Sequence, residues 1–280
     1  MHLSTVETLL EYHVVSPTHF RFNIEAAHWP TQKIVGERLT ISTGVTPHCY
    51  VDRTSGNRYI RFDARPGPLR VHYKAEVELH TPESAAGLHE TPVGEVPDAI
   101  FPYLLATRYC ESDVLCGEVV RMFGGTPAGI GRVHALVDWI RGNIEYKPGS
   151  SHSTTTAHEV FQQRAGVCRD FAHLGITFCR ALNIPARIVV GYVWFDEPPQ
   201  DFHAVFEAWL GGRWVLFDPT GMAPVERLVR IGTGRDAKDV AFATLFGQPQ
   251  MTRKEVMVLE HDARPLGTVS PLTPVPAALV

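Results

Sequence analysis

The segment LRVHYKAEVEL (69–79) constrains the fold most, because its apolar and polar residues alternate. The apolar members, two positions apart, are Leu69, Val71, Tyr73, Ala75, Val77 and Leu79. A period of two places them all on one side of a β-strand, which predicts a strand with one buried face and one solvated face. Strands of this kind are typical of antiparallel sheets.

Several shorter β-rich runs precede this segment, from Leu9 onward. The turn-forming positions that separate them are Pro17, Pro30, Pro47 and Gly56-Asn57. Short strands with regular turns between them are typical of an antiparallel sandwich or barrel. We therefore predict an N-terminal β-sandwich-like domain that, with a polar connector, occupies residues 1–96.

The pattern changes near residue 97. The segment IGRVHALVDWIRGNI places apolar residues at helical spacing, and the runs RIVVGYVWF, DFHAVFEAWL and RWVLFDPT follow later as strands. Helices followed by strands, rather than strict alternation, predict an α+β domain over residues 97–262. Residues 263–280 are expected to form a loose C-terminal tail.

Length, charge and cysteine content narrow the class of protein. A chain of 280 residues is expected to form one large or two smaller domains. Its net charge of −4, with both signs interspersed, argues against a nucleic acid partner. No secretion leader and no apolar run of about 18 residues is visible, so we expect a soluble protein without a membrane partner. Five irregularly spaced cysteines predict reduced thiols and a cytoplasmic location.

Cys168 lies at the start of a predicted helix. The apolar positions that follow at helical spacing are Phe171, Leu174, Gly175, Phe178 and Leu182, and Asn183 with Pro185 marks the end. Free backbone N–H groups and the helix dipole at this position favour a thiolate, the nucleophilic form of cysteine. The alternative is a small core residue. That is how we interpret the other cysteines, which are Cys49, Cys110, Cys116 and Cys179.

A histidine and an acid lie on a predicted hairpin, DFHAVFEAWLGGRWVLFDPT. If Gly211-Gly212 forms a two-residue turn, Leu210 faces Arg213. Asp218 then lies opposite Val205 and one diagonal step from His203, on the same face. A three-residue turn would move Asp218 to the other face.

Alternative interpretations of these residues remain open. Glu207 shares the face of His203 and is a competing acid, although Asp218 is preferred because it comes from the neighbouring strand. His203 could instead be a structural strand histidine, and Asp218 the first residue of an Asp-Pro-Thr turn.

A metal site is a minor alternative. The chain has 14 histidines, which include His152, His158 and His173. His173 lies five positions after Cys168 and therefore on another helix face, and no histidine pair has the spacing typical of metal ligands. We therefore predict no metal and no cofactor.

Three segments, SSHSTTTAHEVFQQR, AGVCRDFAHLGITFCRALNIPARIVVGY and DFHAVFEAWLGGRWVLFDPT, resemble the transglutaminase-like superfamily of papain-type cysteine enzymes. The earlier segments LEYHVVSP, AAHWPTQKIVGERLTIS and GNRYIRFDARPGPLRVHYKAEVEL resemble the β-rich region that precedes this domain in bacterial transglutaminase-like proteins. The resemblance covers residues 9–247. It implies an intact triad of Cys168, His203 and Asp218, on a helix and two adjacent strands.

The superfamily contains amidases, proteases and protein crosslinkers, so the resemblance leaves the reaction open. We expect a cysteine-dependent hydrolase of peptide or protein amides that passes through a thioester on Cys168. The alternatives are an acyl transferase that delivers the acyl group to an amine, and a non-catalytic binding scaffold. The sequence contains no calcium-loop pattern, so it does not support control by calcium. The acidic loop with Asp196, Glu197 and Asp201 could hold a cationic amine, but an ordinary solvated turn is the simpler interpretation.

Overall fold

The computed structural model describes residues 2–42 and 44–261. Its α-helices are α1 (Ser112–Phe123), α2 (Ile130–Asn143), α3 (Ala157–Gln163) and α4 (Cys168–Ala181). Its strands, in chain order, are β1 (His2–Val14), β2 (Thr18–Phe22), β3 (Gln32–Ile41), β4 (His48–Val51), β5 (Arg58–Ala64), β6 (Gly67–Leu79), β7 (Glu145–Tyr146), β8 (Ala165–Gly166), β9 (Ala186–Tyr192), β10 (His203–Leu210), β11 (Arg213–Phe217), β12 (Val229–Gly234), β13 (Ala243–Phe246) and β14 (Gln250–His261).

The six N-terminal strands, β1 to β6, form two antiparallel sheets together with the last two strands, β13 and β14. One has the strand order β14-β1-β6-β3 and the other the order β13-β2-β5-β4. The alternation that predicts β6 is confirmed, because each of its six apolar residues from Leu69 to Leu79 is buried. Tyr12 of the first sheet packs edge-on against Phe20 of the second, with ring centroids 5.3 Å apart. The inner faces of the two sheets therefore share one core, as in a sandwich.

Both ends of the described chain contribute to these sheets. Strand β14 pairs with β1, which places Val258 opposite Val6, and β13 pairs with β2. Residues 243–261 thus lie in the N-terminal sheets, whereas the sequence-based division assigns them to the second domain. A period-two pattern indicates that a strand exists but does not name its partner, so the sequence holds no sign of this pairing.

The third sheet has the order β11-β10-β9-β12 and carries α4 on one face. The contact is close at Gly175, where an added Cβ would lie 2.4 Å from the ring of Phe206 on β10. Any larger residue at this position would push the helix away from the strand. The predicted α+β fold, with helices packed on an antiparallel sheet, is confirmed.

A buried tyrosine joins the third sheet to the β-sandwich. The Tyr192 hydroxyl of β9 donates to the carbonyl of Ile24 at 2.6 Å and accepts a hydrogen bond from the Thr8 hydroxyl at 2.8 Å. Val229 and Ile231 of β12 also pack in the core of the sandwich. The sheet that carries His203 is therefore held on the sandwich through shared buried contacts.

No helix among the described residues is long and apolar enough to cross a membrane. The predicted C-terminal tail, residues 263–280, lies outside the described residues.

Candidate active site

Cys168 is the first residue of α4, as the sequence predicts, and it is partly exposed. Val167 before it is extended, so the helix begins abruptly at the cysteine. The buried carboxylate of Asp170 accepts a hydrogen bond from the Val167 N–H at 2.9 Å and another from the Ser151 hydroxyl. The backbone on which Cys168 sits is therefore fixed by a carboxylate in the first turn of the helix.

The hairpin has the predicted two-residue turn. Gly211 and Gly212 have φ values of 56° and 79°, which favour glycine at both positions, and Leu210 pairs with Arg213. Phe206 consequently faces Phe217, and Asp218 follows directly after β11. The strand register on which the assignment of Asp218 depends is confirmed.

His203 and Asp218 are in contact. The Nε2 atom of His203 lies 3.1 Å from Oδ2 of Asp218, and the two side chains are only 1% and 4% exposed. The carboxylate also accepts hydrogen bonds from the Thr220 N–H at 2.9 Å, the Thr220 hydroxyl at 2.7 Å and the Ala223 N–H at 3.2 Å. These donors hold Asp218 in one orientation, and the bond to Nε2 leaves Nδ1 of His203 facing elsewhere.

The charges around His203 and Asp218 favour the protonated form of His203, the imidazolium. Burial by itself lowers the pKa of His203, but the Asp218 carboxylate and the neighbouring Cys168 sulfur outweigh it and raise the pKa to about 10. Burial acts to raise the pKa of Asp218, yet His203 and Thr220 bring it below its ordinary value. Nδ1 of His203 is buried without a hydrogen-bond partner in the described residues, since Asp218 is bound at Nε2.

Glu207, the competing acid, is engaged elsewhere. Its buried carboxylate accepts a hydrogen bond from Arg187 Nε at 2.7 Å and another from the Arg230 guanidinium. Burial raises the pKa of Glu207, but the two arginines outweigh it and lower the pKa. Glu207 is therefore part of an ion cluster with arginines of β9 and β12 rather than a partner of His203.

Of the other histidines considered as ligands, His173 has a structural role. His173 is buried on α4, accepts a hydrogen bond from the Ala237 N–H at 3.1 Å and stacks on Tyr109. Burial lowers its pKa to about 3, so it is neutral. Across residues 2–42 and 44–261 no three metal-binding side chains come together.

Tyr146 is a residue near the site that no sequence motif indicated. Strand β7 runs parallel to β8 and places Tyr146 opposite Gly166, two residues before Cys168. Burial raises the pKa of the Tyr146 phenol, and charges on Cys168 and Asp201 raise it further. Pairing between two-residue strands has no sequence pattern long enough to recognise.

The acidic loop before β10 is partly neutralised. Asp201 accepts hydrogen bonds from the Lys254 ammonium of β14 and from the Phe202 N–H at 2.8 Å. Of the three acids proposed to hold an amine, this one already has a cationic partner. The contact therefore weakens the argument for an amine-binding loop.

Two family profiles match the chain. Residues 119–219 match the transglutaminase-like superfamily, and residues 2–92 match the N-terminal domain of bacterial transglutaminase. The first match contains Cys168, His203 and Asp218. The second covers the strands β1 to β6.

Three known proteins show the extent of the similarity. The Mycobacterium leprae protein ML0607 is 36% identical over 120 residues, and the Mycobacterium tuberculosis protein Rv2569c is 36% identical over 119 residues. The matched segments cover only 42% and 38% of these mycobacterial proteins, so the chain corresponds to less than half of each. A solved structure of "a Putative Cysteine Protease" from Cytophaga hutchinsonii is 37% identical, has a TM-score of 0.89 and aligns over 96% of this chain and 94% of its own. That similarity spans nearly the whole of both molecules, and residues 119–219 match the superfamily's own profile. The chain therefore belongs to the transglutaminase-like superfamily.

Proposed function

We propose that the protein is a cysteine-dependent amide or peptide hydrolase in which Cys168, His203 and Asp218 form the catalytic triad. One observation carries the proposal: a buried His203–Asp218 pair, 3.1 Å between Nε2 and Oδ2, lies beside a partly exposed cysteine at a helix start. A nucleophile, a base and a group that orients the base are the three parts that acyl transfer needs.

The first half-reaction forms a thioester. The Cys168 thiolate attacks the substrate carbonyl carbon, a C–S bond forms and one electron pair of the C=O bond moves onto oxygen. When the carbonyl re-forms, the C–N bond breaks, and His203 gives its proton to the leaving nitrogen. Asp218 keeps the imidazole oriented and stabilises its protonated form, without itself taking a proton.

The second half-reaction regenerates the cysteine. Water attacks the thioester carbonyl while His203 accepts one of its protons, and the C–S bond breaks to release a carboxylic acid and the thiolate. The imidazolium and thiolate are then ready for another cycle. In this scheme no metal and no cofactor takes part, and the substrates are peptide or protein amides.

Two further observations support particular parts of this proposal. The similarity to the Cytophaga hutchinsonii protein, named "Putative Cysteine Protease", supports a peptide bond as the substrate. All five cysteines are free thiols, which supports a reducing compartment such as the cytoplasm.

The runner-up is an acyl transferase, in which an amine rather than water attacks the thioester. The Asp201–Lys254 contact speaks against a cationic amine at that carboxylate, so we propose hydrolysis as the main outcome. A non-catalytic scaffold is the third candidate, in which the His203–Asp218 pair would serve stability alone.

Mass spectrometry of a peptide library incubated with the protein separates these candidates. We expect cleaved peptides or deamidated side chains with the wild type and with Cys116→Ala, a control that removes an exposed thiol, but not with Cys168→Ala. A fluorescent primary amine at millimolar concentration is offered in parallel with a glutamine-containing protein. Incorporation that matches most of the released ammonia would establish the transferase, and products that persist in Cys168→Ala would refute the assigned nucleophile.

A further inference from the structure

Two buried arginines on the face of the third sheet opposite α4 carry hydrogen-bond donors that lack an acceptor. Arg187 of β9 donates from Nε to one oxygen of Glu207, and Arg230 of β12 donates from Nη2 to the other. Nη2 of Arg187 and Nη1 of Arg230 are buried and have no hydrogen-bond partner in the part of the chain that the structure describes. Leaving a buried donor unpaired is costly, so both nitrogens require an acceptor that the described residues do not supply.

The charges of this Glu207 cluster, formed by Glu207, Arg187 and Arg230, do not balance. Among the described residues, Glu207 is the only carboxylate within ion-pair distance of either guanidinium group. Arginine stays protonated in proteins, so two positive charges face one negative charge. The three side chains are between 2% and 9% exposed, and solvent therefore screens the excess positive charge poorly. One monovalent anion would neutralise the cluster.

The backbone and an aromatic ring hold the two guanidinium groups in place. Arg187 lies directly opposite Glu207 in the pairing of β9 with β10. The N–H of Arg230 donates to the Gln32 side-chain oxygen at 2.8 Å, and its carbonyl accepts from the Gln32 amide at 3.1 Å. Both guanidinium groups also lie against the Trp29 ring, 5.3 Å and 4.7 Å from its centroid. The donors are thus preorganised, which lowers the entropic cost of binding a ligand.

Aromatic side chains around the cluster leave it partly open to solvent. The rings of Trp29, Trp214 and Tyr103 each have their centroid within 6 Å of the Arg187 guanidinium carbon. All three residues are partly exposed, and the Arg187 side chain keeps 8% of its own exposure. An opening of this kind admits a small solute to the guanidinium groups.

An apolar layer separates the cluster from the triad. Val205 lies between Glu207 and His203 on the same face of β10 and is 1% exposed. It packs in a small core with Leu228, and Met222 of the loop after β11 lies against that core. A solute bound at the two arginines is therefore not in contact with the imidazole of His203.

We propose that Arg187 and Arg230 form a binding site for a small monovalent carboxylate, separate from the triad. The guanidinium group presents its N–H donors in a planar fork that matches the two oxygens of a carboxylate. A charge of −1 balances the cluster, whereas a dianion would leave a buried negative charge in excess. The site does not depend on the proposed hydrolase function, because the bound anion takes no part in proton or acyl transfer.

Sodium formate, the smallest carboxylate, is the probe for this site. We expect the tryptophan fluorescence of the wild type to change along a saturation curve, since Trp29 and Trp214 lie against the guanidinium groups. The melting temperature should rise along the same curve, because a ligand of the folded state stabilises it by mass action. Sodium sulfate and sodium chloride are titrated in parallel at matched ionic strength. A formate response that does not saturate, or that sulfate reproduces, overturns the proposal, and equal binding of chloride overturns the assignment to a carboxylate.

Arg230→Lys locates the site, since it keeps the positive charge but removes the fork of donors. We expect it to weaken formate binding roughly tenfold or more, the effect of one lost hydrogen bond between charged groups. Arg121→Lys is the matched control, because Arg121 also pairs with a glutamate, Glu118 at 2.7 Å, but its side chain is 72% exposed. It should bind formate as the wild type does. Unchanged affinity in Arg230→Lys, or an equal loss in both variants, contradicts the assignment. If Arg230→Lys does not fold, the same comparison is made with Arg187→Lys, and the wild-type titration decides whether an anion binds at all.

Discussion

Strand β10 carries two buried polar clusters on the same face, and they differ in one respect. Around Glu207, both carboxylate oxygens are bound by guanidinium groups, Arg187 on β9 and Arg230 on β12. Around His203, Asp218 is equally well bound, but Nδ1 of the imidazole has no hydrogen-bond partner in the part of the chain that the structure describes. Both clusters contain buried nitrogens without a hydrogen-bond partner among the described residues, but those of the Glu207 cluster, Nη2 of Arg187 and Nη1 of Arg230, belong to guanidinium groups, whereas Nδ1 of His203 can exchange a proton.

The guanidinium groups of Arg187 and Arg230 also lie over aromatic rings, which does not change this contrast. The Arg187 guanidinium lies 4.1 Å from the Trp214 ring centroid, and that of Arg230 lies 4.7 Å from the Trp29 centroid. Arginine does not release its proton in proteins, so these groups stabilise the cluster electrostatically but cannot perform acid–base chemistry. Burial and a shifted pKa are thus shared by both clusters, and only the free imidazole nitrogen beside a cysteine distinguishes a candidate active site.

The largest effect on turnover in this comparison is expected from His203→Ala. Loss of the base should reduce kcat/KM for peptide hydrolysis by at least about 10³-fold, because nucleophile and base act as a unit. For the same reason, the double variant with Cys168→Ala should be hardly worse than either single variant. Steady-state kinetics of the three variants measures this. Losses that multiply would count against a shared mechanism.

A smaller but still large loss is expected from Asp218→Asn. The amide cannot stabilise an imidazolium and would leave His203 poorly oriented or in the wrong tautomer, so the rate should fall by at least about 10²-fold. Thr220 and Ala223 should still hold the loop after β11, and circular dichroism melting is expected to show only a modest loss of stability. A rate near that of the wild type would show that the acid has been misassigned.

The smallest effect on turnover is expected from Glu207→Gln, and its main effect should be on stability. Removing the charge leaves two buried arginines without their counter-ion, which typically costs about 3 kcal/mol. Urea unfolding should report that loss, while kcat of the folded fraction should change less than about threefold. If Glu207→Gln reduces turnover more than Asp218→Asn does, the contrast between the two clusters is wrong.

The parts of the fold and site that could be predicted from the sequence are those governed by local spacing. The two glycines at 211–212 fix the hairpin, and with it the meeting of His203 and Asp218. The apolar period after Cys168 fixes the helix start. Both inferences use residues close together in the chain, where geometry follows from the period of a strand or a helix.

The parts that could not be predicted depend on distant pairings. The partners of Glu207 come from β9 and β12, 20 and 23 residues away, and no short-range pattern connects them. Tyr146 lies opposite Gly166, two residues before Cys168, only because a two-residue strand pairs with another of equal length. Strand β14 joins β1 across nearly the whole chain. In each case the sequence indicates the residue or the element but not what it contacts.

The most direct test of the central claim is the rate at which each cysteine reacts with iodoacetamide, followed by peptide mass spectrometry from pH 5 to pH 9. Cys49 and Cys116 are exposed and serve as internal references, while Cys168 is only partly exposed. Because the raised pKa of the buried His203 keeps a positive charge beside Cys168, we expect Cys168 to react faster than Cys49 and Cys116 near and below neutral pH, despite its lower exposure. That preference should disappear in His203→Ala. A Cys168 that reacts no faster than Cys49 and Cys116, or whose reactivity is unchanged in His203→Ala, would contradict the claim that this pair activates the cysteine.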